Sequence, residues 1–197
     1  MRKIRAWLFV TLDGVIEAPE QWVIADDDMF DAAEADYAKS DALLLGRRTY
    51  ETFAASWPGR GSEVPNADWM HSTRKYVVST TLDSPAWNNS TVIEGDVATV
   101  VGRLKQEEGK DIVVNGSGEL VRSLMRDHLL DELRLFVHPV VVGSGRRLFD
   151  ADSDPIELAL VGSHTYDNGV ISLTYKPPST SATDSGVRNV RLPVAAA

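Results

Sequence analysis

Strand-like and helix-like patterns alternate along most of this chain. In residues 3–12 apolar positions recur with a period of two, so Ile4, Ala6, Leu8, Val10 and Leu12 share one face. Trp7 and Phe9 on the other face predict burial on both sides, as in a central strand. A long connection through Gly14 follows. From Asp28 a helix is predicted, with Phe30, Ala33 and Tyr37 at helical spacing and aspartates at the positive end of its dipole. Residues 42–45 read as a short buried strand, and Tyr50, Phe53, Ala54 and Trp57 mark one face of a second helix.

Residues 75–79 and 91–93 are strand-like, and Val97, Val100, Val101 and Leu104 define a third amphipathic helix. A strand over 111–115, a glycine turn and a helix carrying Leu120, Val121, Leu124 and Met125 complete this part. The last third changes character. Residues 132–142 read as a long strand, and two further β-runs, 157–166 and 169–176, flank Asp167-Asn168-Gly169. Asn-Gly there predicts a hairpin with a type I′ turn, which needs positive φ at both central residues. The β-α-β units imply parallel strands and the hairpin antiparallel ones. The expected fold is α/β: about eight strands in a mostly parallel sheet, about four helices, and cover on both faces. Residues 1–176 form the domain; 177–197, rich in Pro, Ser, Thr and Ala, read as a tail.

A chain of 197 residues suits one domain. It contains no cysteine, which removes disulfides, thiolate metal sites and cysteine nucleophiles together. The net charge of −9, with dispersed basic residues, argues against a nucleic-acid partner. Arg5 and Asp13 interrupt the N-terminal apolar run, so it reads as a strand and not an export signal. No apolar stretch approaches the roughly 20 residues that span a bilayer. A cytoplasmic protein without membrane attachment is expected.

Two segments share one chemical logic: a buried strand, a glycine-bearing turn, then a helix. At Gly46-Arg47-Arg48-Thr49, the glycine admits a ligand close to the backbone, Thr49 is a candidate helix cap, and the arginines with free helix amides make an anion site. At Asn115-Gly116-Ser117-Gly118-Glu119-Leu120-Val121 the pattern resembles a dinucleotide fingerprint, but Val121 stands where a third glycine belongs. Each alone is equally an ordinary turn. Two anion sites on one α/β sheet are what a dinucleotide needs. Among the carboxylates, Asp13 suits a turn, and Asp28 and Asp31 suit capping of the first helix; Asp13 or Asp31 could instead serve as a proton relay in a cleft. The four histidines show no metal-ligand spacing, and no metal is expected. The glycine-arginine turn at 143–147 reads as a structural loop.

At these residues the chain resembles the dihydrofolate reductase superfamily. It is most similar to single-domain proteins like the reductase domain of the bifunctional riboflavin biosynthesis enzyme. The landmarks are Thr11-Leu12-Asp13-Gly14-Val15-Ile16, Leu45-Gly46-Arg47-Arg48-Thr49-Tyr50-Glu51, the Asn115–Leu120 segment, and Leu130 to Pro139 followed by Gly143-Ser144-Gly145. The resemblance implies a dihydrofolate-reductase-like three-layer fold with NADPH as cofactor. Arg47, Arg48 and Thr49 would meet its phosphates, and Ser79, Thr80 and Thr81 its adenosine half. Gly116, Ser117, Gly118, Glu119 and Leu120 would lie along the pyrophosphate, and Val10 and Thr11 would border the nicotinamide beneath a loop carrying Ile16 and Trp22. Trp22, Phe53 and Trp57 are the expected substrate contacts, with Asp13 and Asp31 the candidate proton donors. The chain departs from dihydrofolate reductases at Phe30, which falls nearest their first-helix acidic position.

The implied activity is hydride transfer to a small heterocyclic substrate, of the pyrimidine reductase type found in riboflavin biosynthesis. Dihydrofolate reduction and a non-catalytic nucleotide-binding role are the alternatives. A homodimer through the C-terminal strands is expected.

Overall fold

The computed structural model describes residues 1–149 and 155–177; the tail expected after 176 lies outside them, apart from Pro177. Six strands run parallel: β1 (Ile4–Thr11), β2 (Ser40–Gly46), β3 (Arg74–Val78), β4 (Ser90–Ile93), β5 (Asp111–Asn115) and β6 (Glu132–His138). The antiparallel hairpin β7 (Ala159–Thr165) and β8 (Ile171–Lys176) joins at β6. The order is β4-β3-β2-β5-β1-β6-β8-β7, so the apolar β1 and β5 sit centrally. All six parallel strands present their carboxyl ends to the same edge of the sheet.

The alternating pattern of β1 divides between two cores. Ile4, Ala6 and Leu8 pack with helices α4 (Val97–Gln106) and α5 (Gly118–Arg126). Trp7 packs on the opposite face with α1 (Asp27–Ala38), α2 (Arg47–Ser56) and α3 (Ala67–Ser72). The α3 helix is absent from the pattern-based expectation because six residues are too few to display a helical period.

Other differences are local. Leu12 lies beyond the end of β1 and is 67% exposed. The long strand expected over 132–142 stops at His138, because residues 140–147 turn back onto the Thr11–Glu17 loop: Leu12 N–H donates to Val140 O, and Val15 bridges Arg147. The hairpin turn is not type I′. Only Gly169 has positive φ, and the Tyr166–Val170 pair encloses a three-residue loop, the arrangement of a type I turn followed by a left-handed glycine. Nor are both sheet faces covered throughout, since every residue of β7 is exposed.

Lys75, fully buried in β3, stands apart from the other basic residues. Its Nζ donates to the carbonyls of Thr73 and Asn88 at 3.0 and 3.2 Å, and lies 4.2 Å from the centre of the Trp87 ring. Burial pulls its pKa down to about 8. Among the described residues no helix is long and apolar enough to cross a membrane.

Candidate active site

Although β2 and β5 are neighbours, their helices leave toward opposite faces. Tyr50, Phe53 and Trp57 from α2 and the turn after it join the Trp7 side, whereas Leu120, Val121 and Leu124 of α5 join the Ile4 side. Adjacent strands whose connections diverge in this way open a crevice at their carboxyl ends. Both glycine-bearing junctions lie in that crevice, and they touch. Gly46 N–H donates to Ser117 Oγ at 3.0 Å, and Ser117 N–H donates to Thr49 Oγ1 at 3.2 Å. Gly116 has φ of +61°, and a Cβ there would press on Thr49 Cγ2 at 3.4 Å. Thr49 is therefore a tie between the junctions. It is not the helix cap the sequence suggested; Gly46 holds that position and has no side chain to offer.

The helix starts differ in how they are closed. The Asp26 carboxylate accepts from Met29 N–H at 3.1 Å and caps α1; Asp96 accepts from Thr99 N–H at 2.8 Å and caps α4. The expected capping by Asp28 or Asp31 thus falls to Asp26. Helices α2, α3 and α5 have no side-chain cap among the described residues, and of these α2 and α5 begin at the two touching junctions. Their first-turn amides are left for an outside acceptor. Arg47 pairs with Glu51 at 3.0 Å, while among the described residues no carboxylate lies within ion-pair distance of Arg48 or Arg126.

A cavity of about 1710 Å³ extends from these junctions in both directions. It exceeds the ~300–1,000 Å³ of a site for one small ligand. One end runs past Ser79, Thr80 and Thr81 after β3 and Glu94 and Gly95 after β4. The other is walled by one face of α1 (Asp27, Phe30, Asp31, Glu34 and Tyr37), with Phe53 and Trp57 also lining it and Trp7 and Phe9 contributed by β1. Asn115, which pairs in register with Trp7, lies between the two ends and donates from Nδ2 to the Tyr37 hydroxyl at 2.6 Å. Tyr37 is 4% exposed, and burial pushes its pKa well above the ordinary phenol range, so it stays protonated.

The loop Ile16–Glu20 lines the same cavity, and Gly118 lets it approach, because a Cβ there would collide with Ile16 Cδ1. This loop is clasped from several sides. Trp22 Nε1–H donates to Glu17 O at 2.8 Å, and its indole meets the buried His138 ring edge-on at 5.5 Å. His138 Nδ1 accepts from Ile24 N–H at 3.2 Å, and burial lowers its pKa. Arg146 bonds the Glu17 carboxylate at 2.8 Å and holds its pKa below the usual range.

The cavity thus gathers Asp31, Phe53, Trp57, Gly46 to Thr49, Ser79 to Thr81 and Gly116 to Leu120 into one wall. It does not include Val10, Thr11, Trp22 or Asp13. The share of β1 comes one to three residues earlier, through Trp7, Leu8 and Phe9, while Thr11 is buried and Trp22 lies beneath the loop. Asp13 belongs to a clasp of its own: hydrogen bonds from the Thr11 hydroxyl, then the Gly143 and Val142 amides, hold its pKa at about 2. Tyr37 and Arg126 escaped the sequence reading. Tyr37 sat in an apolar helical stripe and read as core; Arg126 carried no signal.

An open α/β sheet whose neighbouring strands open a crevice at their carboxyl ends, with two uncapped helix starts meeting in it, defines a class of α/β proteins that carry their sites there. Within that class the chain belongs to the RibD C-terminal domain family, whose model matches residues 2–172. It is 34% identical over 183 residues to the uncharacterized protein YyaP of Bacillus subtilis (strain 168), covering 88% of this chain and 94% of that one. Among solved structures it resembles RibD of Acinetobacter baumannii, with a TM-score of 0.68 and 17% identity, covering 90% of this chain and 58% of that one. A pyrimidine reductase-like protein of Corynebacterium diphtheriae gives a TM-score of 0.65 at 15% identity, over 90% and 92%. At these identities the structural likeness concerns the fold.

Proposed function

We propose that this protein is an NADPH-dependent reductase acting on a small heterocyclic substrate, a reaction of the pyrimidine reductase type. The observation that carries the reading is the direct contact between the two uncapped helix starts, through Gly46, Thr49 and Ser117. Such a pair of unclosed amide clusters fits a pyrophosphate bridging them. The donor set also suits a further phosphate ester: Arg48 lies within ion-pair distance of no carboxylate among the described residues, Arg47 has the exposed Glu51, and Ser79, Thr80 and Thr81 add hydroxyls. The families of the structural relatives, a pyrimidine reductase-like protein among them, support the same chemistry.

NADPH, when bound, supplies a hydride. The chain's part is to hold donor and acceptor in line, which is where such a reaction gains much of its rate. The α1 wall, Trp7 and Phe9 would seat the acceptor ring, and the Ile16–Glu20 loop would exclude water. Reduction also consumes a proton. Asp31, which lines the cavity, would deliver or relay it; Asp13, clasped outside and held acidic by its hydrogen bonds, would not. The exposed β7 edge, with Leu160 and Val161 outward, supports a homodimer, which sedimentation at micromolar concentration would detect.

Calorimetric titration with NADPH tests the reading. Saturable binding that weakens in Arg47→Ala and Arg48→Ala is expected, and no binding by the wild type overturns it. Oxidation of bound NADPH by a panel of pyrimidines and pteridines then separates an enzyme from a nucleotide-binding relative without chemistry.

A further inference from the structure

The substrate end of the cavity carries its own chemistry, and this inference rests on the reductase reading of that cavity. Three polar groups meet on its floor. Trp7 is 6% exposed, and its indole N–H finds no acceptor among the described residues. The Trp7 and Tyr37 rings pack edge-on at 5.9 Å. The Tyr37 hydroxyl accepts from Asn115 Nδ2 at 2.6 Å, which leaves its own proton to donate elsewhere. Asn115 Oδ1 meets no donor among the described residues and can accept. An unmade hydrogen bond on a buried donor is costly, so such groups are normally satisfied by a partner. Two donors beside one acceptor complement a ring edge that carries a carbonyl or ring nitrogen next to an N–H.

The walls above this floor are acidic. Asp27, Asp31 and Glu34 lie at i, i+4 and i+7 on the cavity face of α1, and among the described residues none of them has an ion-pair partner. Glu20 adds a fourth carboxylate from the loop. Of the arginines that line the cavity, Arg60 is engaged over the Trp57 ring at 4.8 Å and with Ser56 O at 3.0 Å, and Arg146 with the Glu17 carboxylate at 2.8 Å. A phosphate dianion entering here would face like charge from four solvent-exposed carboxylates.

We propose that the substrate is an unphosphorylated heterocycle, neutral or cationic, whose lactam edge is read by Trp7, Tyr37 and Asn115 while the α1 carboxylates turn anionic substituents away. Phosphate binding is thereby confined to the cofactor end of the cavity.

The test uses the full chain saturated with NADPH and two fluorescent probes, 6-hydroxymethylpterin and its phosphate ester, which differ only in the charged group. The free alcohol is expected to bind at least about tenfold tighter than the ester, about the effect of one sizeable charge–charge contact. The triple variant Asp27→Asn, Asp31→Asn, Glu34→Gln should abolish that preference. Tyr37→Phe, which keeps the ring, should weaken the alcohol about tenfold and leave NADPH affinity unchanged. NADPH binding with equal or inverted probe affinities, with neither probe bound, or with Tyr37→Phe indistinguishable from wild type, overturns this assignment alone. Failure of the wild type to bind NADPH overturns the reductase reading beneath it.

Discussion

Two pairs of helices in this small domain begin in opposite ways. Helices α1 and α4 are closed by carboxylates from their own chain, Asp26 and Asp96, so their first amides are spoken for. Helices α2 and α5 begin with Gly46 and Ser117, bring no side chain to their own amides, and are tied to each other instead. In a folded protein an unclosed helix start is a cost unless something else closes it. The capped pair is closed from within; the uncapped pair leaves its amides to an outside acceptor, as the proposed cofactor site requires.

That contrast can be broken or sharpened by mutation. The largest effect is expected from Arg48→Ala, which removes from the uncapped pair a cation outside ion-pair distance of any carboxylate among the described residues. NADPH affinity should fall by about 10- to 100-fold, while NADH affinity changes little, as read by calorimetry. Equal losses for both cofactors would place Arg48 away from the distinguishing phosphate.

Next comes Ser117→Ala, which leaves the Gly46 N–H without its acceptor. A stability loss of about 1–2 kcal/mol by urea denaturation is expected, and bound NADPH should recover part of it. Full stability in the variant would show that the junctions do not depend on this tie. The smallest effect is expected from Asp26→Ala, a lost cap worth about 1 kcal/mol, with NADPH affinity unaltered. A cofactor defect there would erase the distinction between the two kinds of helix start.

The sequence exposed the skeleton of this arrangement because the skeleton is written in periodicity. The face-splitting of β1, the strand at 111–115 and the apolar stripe of α5 all follow from spacing, and each lies where spacing put it. The junctions at 46 and 116 were legible for another reason, as a pair: each is an ordinary turn alone, but a buried strand, a glycine-bearing turn and a helix recur in the same order. What escaped depended on the third dimension. Nothing local marks Tyr37 as a cavity residue as well as a core one, because its hydroxyl partner is 78 residues away. Asp13 looked like a cleft residue until the 140–147 segment, some 130 residues on, folded over and took its carboxylate. Val10 and Thr11 failed as wall residues by a shift of only one to three positions along β1, a distance that no pattern resolves.

Lys75 has a consequence for solution behaviour. In the unfolded chain its ammonium would keep its proton to about pH 10.5, whereas in β3, lodged among carbonyls and an indole, it lets go near 8. Between those values the unfolded form holds more protons than the folded one, so alkalinity there favours folding, against the usual trend. A lysine sealed into a strand thus makes mild base a kinder solvent than neutrality for this part of the sheet, and Lys75→Met should flatten that rise.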